Sequence, residues 1–391
     1  MPLIASNTVP FHVPSIGQEE IDAAVEVLRS GWLTTGPRVQ RLEKELAAYL
    51  HVPHSIALNS GTAALHLALD AIGLKQGDEV ILPTITFAAT GEVVTYFGAR
   101  PVLVDCEPEA FTIDPVAVER AITPRTRAII PVHFAGHPCQ MDDLLEIAQR
   151  HRIHVIEDAA HALPAHYKGK MIGTLGDITC FSCYATKTIT TGGEGGFAVT
   201  SNSEFAETMR LKSLHGISKH AWNRYAPDGS WRYEILDSGY KYNLTDLAAA
   251  IGSVQLEKCD RLHQRRSEVA ARYTRWFARQ DAFALPDVKS YVTHAWHLYV
   301  ILVNPDVLRI SRDKLLVEMS QRGIGTSVHF IPLHLHPYYH DTWGYSTGMF
   351  PIAEDYFERC LSLPIYPGML DEDVVDRITD TLGEIAREFR R

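Results

Sequence analysis

The chain is poor in cysteine, in long apolar runs and in concentrated positive charge. Six cysteines in 391 residues are too few and too scattered for a disulfide-stapled scaffold, which suits a reducing compartment and predicts mostly buried thiols. Cys180 and Cys183 make a lone C-x-x-C. On a strand, positions three apart face opposite sides, and no second pair completes a zinc site, so no metal is expected. No stretch approaches the roughly 20 uncharged apolar residues of a membrane span, and Met1 to Pro14 lacks the basic start and apolar core of a signal peptide. The expectation is a cytoplasmic protein. A formal net charge of -10 with no polybasic block excludes bulk affinity for nucleic acid or anionic membrane, so local cationic or amide-rich pockets must meet any anionic substrate. No G-x-G-x-x-G follows the first strand, and no Gly-Lys-Ser/Thr closes a phosphate loop, which leaves dinucleotide and ATP readings unsupported. Internal repeats and low-complexity tracts are missing as well.

What is present is a composition 46% hydrophobic, enough to bury a large core and to divide into two domains. Helical spacing from Pro14 to Leu28, a Gly31–Pro37 loop and a second amphipathic helix to about Tyr49 form a lead-in. From Ser55 the pattern alternates: strand to Leu58, helix Thr62–Ile72, strand Glu79–Leu82, helix Ala88–Phe97, strand Pro101–Asp105. It continues through strand Ala128–His133, helix Met141–His151, and strands Ile153–Asp158, Ile178–Tyr184 and Gly196–Thr200. Such alternation predicts an α/β fold whose largely parallel sheet carries helices on both faces. One long helix is predicted from Thr245 through Phe277. Residues 1–280 are read as the lead-in plus a large α/β domain and 281–391 as a smaller α+β domain. The latter has strand His297–Val303, helix Arg312–Arg322, strand Thr326–Phe330 and a terminal helix Glu372–Arg390.

The chemistry concentrates near strand ends. Ile153 to Ile156 is an apolar run that delivers Glu157 and Asp158, placing an acid where α/β sheets bind ligands. Ser182 and Lys187 put a hydroxyl and an amine five residues apart, ahead of the Gly192–Gly196 cluster that lets the backbone turn tightly. Asn59-Ser60-Gly61-Thr62-Ala63 opens a helix after a strand. The amides of Gly61, Thr62 and Ala63 lie at a positive helix end able to hold phosphate, and an ordinary N-cap explains the same residues. A lysine among small residues near an acid-bearing strand is either solvated or, with a depressed pKa, a nucleophile. A carbonyl cofactor with a phosphate tail needs this set of groups.

Ser60-Gly61-Thr62-Ala63-Ala64-Leu65, Gly77-Asp78-Glu79-Val80-Ile81 with Pro83 and Phe87, Glu157-Asp158-Ala159-Ala160-His161-Ala162, Ser182, Lys187 and Gly193-Glu194-Gly195-Gly196 together resemble the DegT/DnrJ/EryC1/StrS nucleotide-sugar aminotransferases. These are fold-type I enzymes, aspartate aminotransferase-like, that use pyridoxal 5'-phosphate (PLP). The resemblance covers nearly the whole chain. Within the family, Gly239–Asp246, His294–Leu298 and Arg322–Thr326 look like segments of the enzymes that make UDP-4-amino-4-deoxy-L-arabinose, and relatives acting on other keto-sugars share much of them. One departure is Ser182-Cys183-Tyr184, where the family often has Ser-Phe-His.

The resemblance implies that Lys187 joins the cofactor aldehyde covalently and moves the proton, and that Asp158 pairs with the pyridine nitrogen. The amides of Gly61, Thr62 and Ala63 and the Ser182 hydroxyl would hold the phosphate, with Asn243 reaching it from the second subunit of a homodimer. Phe87 would lie against the ring or belong to the core; His161 would touch the ring or its hydroxyl, or be a satisfied buried histidine. Trp32 and Thr34 of the Gly31–Pro37 loop, Lys241 and His329 look like nucleotide-sugar contacts, although a loop tryptophan also serves as a packing residue. The Leu333–His340 segment, with three histidines in no zinc spacing, reads as a mobile loop near the site. The implied reaction moves the amine of L-glutamate to C4 of a UDP-linked 4-keto-sugar for lipopolysaccharide or polysaccharide synthesis. Its alternatives are amination of another UDP- or dTDP-linked 4-keto-6-deoxyhexose or 3-keto-sugar, and a non-catalytic regulatory relative. Sugar dehydratases of the same fold carry histidine at the position of Lys187.

Overall fold

The computed structural model describes residues 8–218 and 233–391; residues 1–7 of the N-terminal stretch read above lie outside them. Helices α1 (Gln18–Ser30) and α2 (Pro37–Leu50) lead into β1 (His54–Leu58), α3 (Gly61–Ala71), β2 (Glu79–Pro83), α4 (Ala88–Thr95) and β3 (Arg100–Val104). Then come α5 (Pro115–Ala121), β4 (Thr126–Ile129), α6 (Met141–His151) and β5 (His154–Asp158). A short hairpin, β6 (His166–Tyr167) and β7 (Lys170–Met171), precedes β8 (Ile178–Ser182) and β9 (Gly196–Thr200), followed by α7 (Ser203–Lys212), α8 (Asp246–Glu257) and α9 (Cys259–Phe277). The remainder comprises β10 (Phe283–Ala284), β11 (Val292–Thr293), β12 (Tyr299–Val303), α10 (Arg312–Gln321), α11 (Pro337–Trp343), α12 (Pro351–Arg359), β13 (Cys360–Leu363) and α13 (Val374–Glu388).

Period-2 alternation within the strands explains the layering. Val80 and Leu82 of β2 join Ile56 and Leu58 in a cluster with α3 and α4, whereas Ile81, Val155 and Phe181 turn to the opposite face against α2, α5 and α6. Covered on both faces, the strands form a seven-stranded sheet ordered β1-β9-β8-β5-β4-β2-β3. The sheet is mostly parallel, as the alternation predicts; β9 alone opposes both its neighbours. A second sheet, β10-β12-β13, packs with α9, α10 and α13 around Tyr273, Phe277, Ile301, Leu361 and Ile378. The six cysteines are free and buried, and no helix among the described residues is long and apolar enough to cross a membrane.

Three expectations are corrected. The long helix over Thr245–Phe277 breaks at Lys258 into α8 and α9, because Ala249 and Leu256 bury in the large-sheet cluster while Val269, Tyr273 and Phe277 bury in the other. Thr326–Phe330 is not a regular strand: Ser327 makes one bridge to Ser362. The Leu333–His340 segment is structured, a 3₁₀ turn leading into α11, with His334 buried between the Thr84 hydroxyl at 2.7 Å and Glu354 at 2.9 Å.

Candidate active site

Sheet register brings the chemistry to one edge. Leu58 of β1 and Ser182 of β8 both pair with Gly196 at the start of β9, so the C-terminal ends of β1 and β8 meet beside Asp158 at the end of β5. Gly196 is needed for close approach: a Cβ there would lie 2.5 Å from the Gly61 nitrogen and the Ser60 carbonyl carbon. Behind this edge lies a cavity of about 410 Å³ lined by Gly61, Thr62, Asp158, His161, Ser182 and Lys187, a size suited to a cofactor-sized ligand.

Asp158 is buried, and burial pushes its pKa up; Thr90, the Ala160 amide and Lys187 oppose that shift. Its Oδ2 accepts the Thr90 hydroxyl at 2.7 Å and its Oδ1 the Ala160 amide at 3.1 Å. Lys187 lines the cavity, where burial lowers its pKa to about 8 against the pull of Asp158. His161 sits against His297, ring centroids 4.3 Å apart, and stacks on Phe330 at 5.9 Å. Burial drives both histidines well below their ordinary pKa and His329 to about 4, with Lys187 adding to the effect. At neutral pH these imidazoles are uncharged, and Lys187 is the one Lys or Arg among the described cavity-lining residues. Phe87 stands at the cavity rim, 62% exposed, near Phe330 at 5.8 Å.

The first turn of α3 shows how a cap and an anion cradle coexist. Ser60 Oγ accepts the Ala63 amide at 3.0 Å, the N-cap bond that the same residues also allowed. Gly61 and Thr62, the first two residues of α3, whose amides have no intrahelical acceptor, line the cavity together with Ser182. The expected substrate contacts also separate. His329 lines the cavity, whereas Trp32, Thr34 and Lys241 do not, nor does Asn243, expected at the phosphate of the partner's site. They gather elsewhere: Asn243 Nδ2 donates to the Thr35 hydroxyl at 2.6 Å, its Oδ1 accepts from Lys241 at 2.6 Å, and Trp32 Nε1 donates to the Thr35 carbonyl. The Thr34 carbonyl accepts the Asp246 amide, and Asp246 in turn caps α2 through Arg38 and Val39.

Sequence reasoning missed Thr90, His297 and Phe330. The signals were faint: a threonine in the apolar first turn of α4, and two residues whose strand pattern gave no hint of a cavity. The set nonetheless fits PLP: a buried amine, a buried acid, a helix-end cradle with a hydroxyl, and a His161 Nδ1 left without a partner among the described residues.

The match to known proteins covers residues 14–382. The chain belongs to the DegT/DnrJ/EryC1/StrS aminotransferase family. It is 50% identical over 388 residues to the uncharacterized protein MJ1066 of Methanocaldococcus jannaschii, covering 99% of this chain and 100% of that one. To the spore coat polysaccharide biosynthesis protein SpsC of Bacillus subtilis it is 48% identical over 374 residues, 95% of this chain and 96% of the relative. Among solved structures, Streptococcus pneumoniae Spr1654 in its PLP form superposes with a TM-score of 0.90 at 35% identity, covering 97% of this chain and 99% of that one. DesV of S. venezuelae gives 0.87 at 36%, again covering 97% and 99%. The fold is that of the PLP aminotransferases, and the chain is an aminotransferase with PLP as its cofactor; the Spr1654 structures are of a putative sugar aminotransferase.

Proposed function

We propose that this aminotransferase, as a cytoplasmic homodimer, transfers the amino group of L-glutamate to C4 of a UDP-linked 4-keto-sugar of the UDP-4-amino-4-deoxy-L-arabinose type. The observation that carries the reading is a depressed-pKa amine, Lys187, sharing one cavity with a buried acid, Asp158. Bound PLP supplies an electron sink for the carbanion formed at the transferring carbon. Lys187 Nζ would anchor that cofactor and, when free, would serve as the base that moves the proton; a pKa near 8 leaves a usable neutral fraction at pH 7. Asp158 would hold the pyridine nitrogen, Gly61, Thr62 and Ser182 would hold the phosphate, and His161 and Phe87 would border the ring.

The dimer is supported by what the described residues of one chain's cavity lack, a cation besides Lys187. A glutamate carboxylate and a nucleotide diphosphate both call for positive charge, and Lys187 is committed to the cofactor. Lys241 and Asn243, with Trp32 and Thr34, form a separate cluster that would complete the partner's cavity, with His329 contributing from within. The choice of sugar rests on Gly239–Asp246, His294–Leu298 and Arg322–Thr326. A role in polysaccharide biosynthesis is favoured by likeness to SpsC. The test is a panel of UDP- and dTDP-linked 4-keto- and 3-keto-sugars, each assayed with glutamate. Preference for the UDP-4-keto-pentose supports the proposal. Preference for a dTDP-hexose reassigns the sugar, and a colourless protein that binds sugar nucleotide without turnover favours a regulatory role.

A further inference from the structure

The carboxylate of Asp158 is held by a directed chain of hydroxyls. Thr90 Oγ1 lies 2.7 Å from Asp158 Oδ2 and 2.7 Å from Thr86 Oγ1, and both threonines are buried. An ionised carboxylate has no proton to give, so the Thr90 hydrogen must point to Asp158. The Thr90 oxygen is then the acceptor, and the Thr86 hydrogen points to Thr90. Reversing the chain would require a protonated Asp158 to donate. With the Ala160 amide on Oδ1, both carboxylate oxygens receive donors that favour the charged form. The three oxygens belong to two elements, the β2–α4 connection with the first turn of α4, and the end of β5, so the chain exists only in the assembled sheet.

We propose that Thr90, supported by Thr86, is a positioning residue that keeps Asp158 ionised and aimed into the cavity, and through it keeps the pyridine nitrogen of bound PLP protonated. This rests on the role given to Asp158 above. Thr90 lines the cavity, but its hydroxyl is engaged by Asp158 and Thr86, so its effect on the cofactor passes through Asp158.

The experiment is ¹⁵N NMR of holoenzyme loaded with PLP labelled at the ring nitrogen. Wild type should give the resonance of a protonated pyridine. Thr90→Val should move it toward the unprotonated value, Thr90→Ser should restore it, and Thr86→Val should produce a smaller displacement in the same direction. In parallel, kcat for Thr90→Val should fall roughly 10- to 100-fold, the loss of one hydrogen bond to a charged group, with KM for glutamate unchanged. Asp158→Asn separates the two levels of the reading. If that variant shifts the resonance while Thr90→Val and Thr86→Val leave it at the wild-type position, the hydroxyl chain is overturned and the role of Asp158 stands. If Asp158→Asn leaves the resonance unmoved, the role of Asp158 itself fails. Should Thr90→Val not fold, as circular dichroism would reveal, Thr86→Val and Thr90→Ser decide the same question.

Discussion

Lys187 acquires its reactivity from burial. An ordinary lysine is almost wholly charged at pH 7, but desolvation lowers this one to about 8, and the charge of Asp158 offsets only part of that cost. The neutral, nucleophilic fraction should therefore rise through pH 8 and saturate. Capture of PLP by apoenzyme, followed by the growth of visible absorbance, should accelerate about tenfold between pH 7 and pH 9 and then level off. A rate still climbing several-fold per pH unit at pH 10 would show an unshifted amine. Lys187→Ala should remove the visible absorbance and lower turnover by about 10²-fold or more, the usual contribution of a positioned base. Retained turnover in that variant would falsify the mechanism. Asp158 and Lys187 were legible from sequence because each stands at a recognisable local feature, a strand end and a glycine-flanked turn. His161 was legible only as an open choice, since its neighbour His297 lies far away along the chain.

The N-terminus of α3 is built by a cap and by the absence of a side chain opposite it. Ser60 satisfies the Ala63 amide and so fixes the turn that leaves Gly61 and Thr62 facing the cavity. Ser60→Ala should cost about 1 kcal/mol of stability, read from denaturant melts of the apoenzyme, together with weaker PLP retention on dialysis. Gly196→Ala places a methyl group against the Ser60–Gly61 backbone. It should destabilise by about 1–3 kcal/mol and weaken cofactor binding further, because the cradle is pushed out of line. The glycine cluster announced a tight turn in the sequence, and Gly192 and Gly193 do adopt positive φ. That Gly196 instead serves β1 and α3 follows from strand pairing. The break at Lys258 has a similar origin. Nothing local forbids a continuous helix there, yet α8 is tied to α1 through Gln255 and Glu20 at 2.7 Å while Lys258 bonds Glu20 at 2.9 Å, and α9 turns away into a different core.

Across the molecule, the residues that sequence likeness grouped as one substrate set occupy two places. The cavity holds His329 with the cofactor residues, and the Trp32–Thr35–Asn243–Lys241 cluster stands apart. If the cluster acts in trans, Asn243→Ala alone should weaken PLP binding by roughly tenfold, one lost hydrogen bond to a charged group. At PLP too dilute to load the Asn243→Ala parent, hybrid dimers assembled by co-expressing Lys187→Ala with Asn243→Ala subunits should then regain turnover, since one of their two sites contains both native residues. Hybrids no more active than either parent would sink the shared-site arrangement.

The order of strands and helices, the two-faced burial of the sheet and the placement of the acid and amine near strand ends were determined by the sequence itself. Apolar periodicity, caps and glycines act over a few residues, and those ranges are where local sterics and side-chain alternation dominate. What only the tertiary structure decided are the contacts between distant segments: Thr90 on Asp158, His297 on His161, and Gly196 against Gly61. Strand register and the meeting of two apolar cores set those distances, and no pattern confined to one element encodes them.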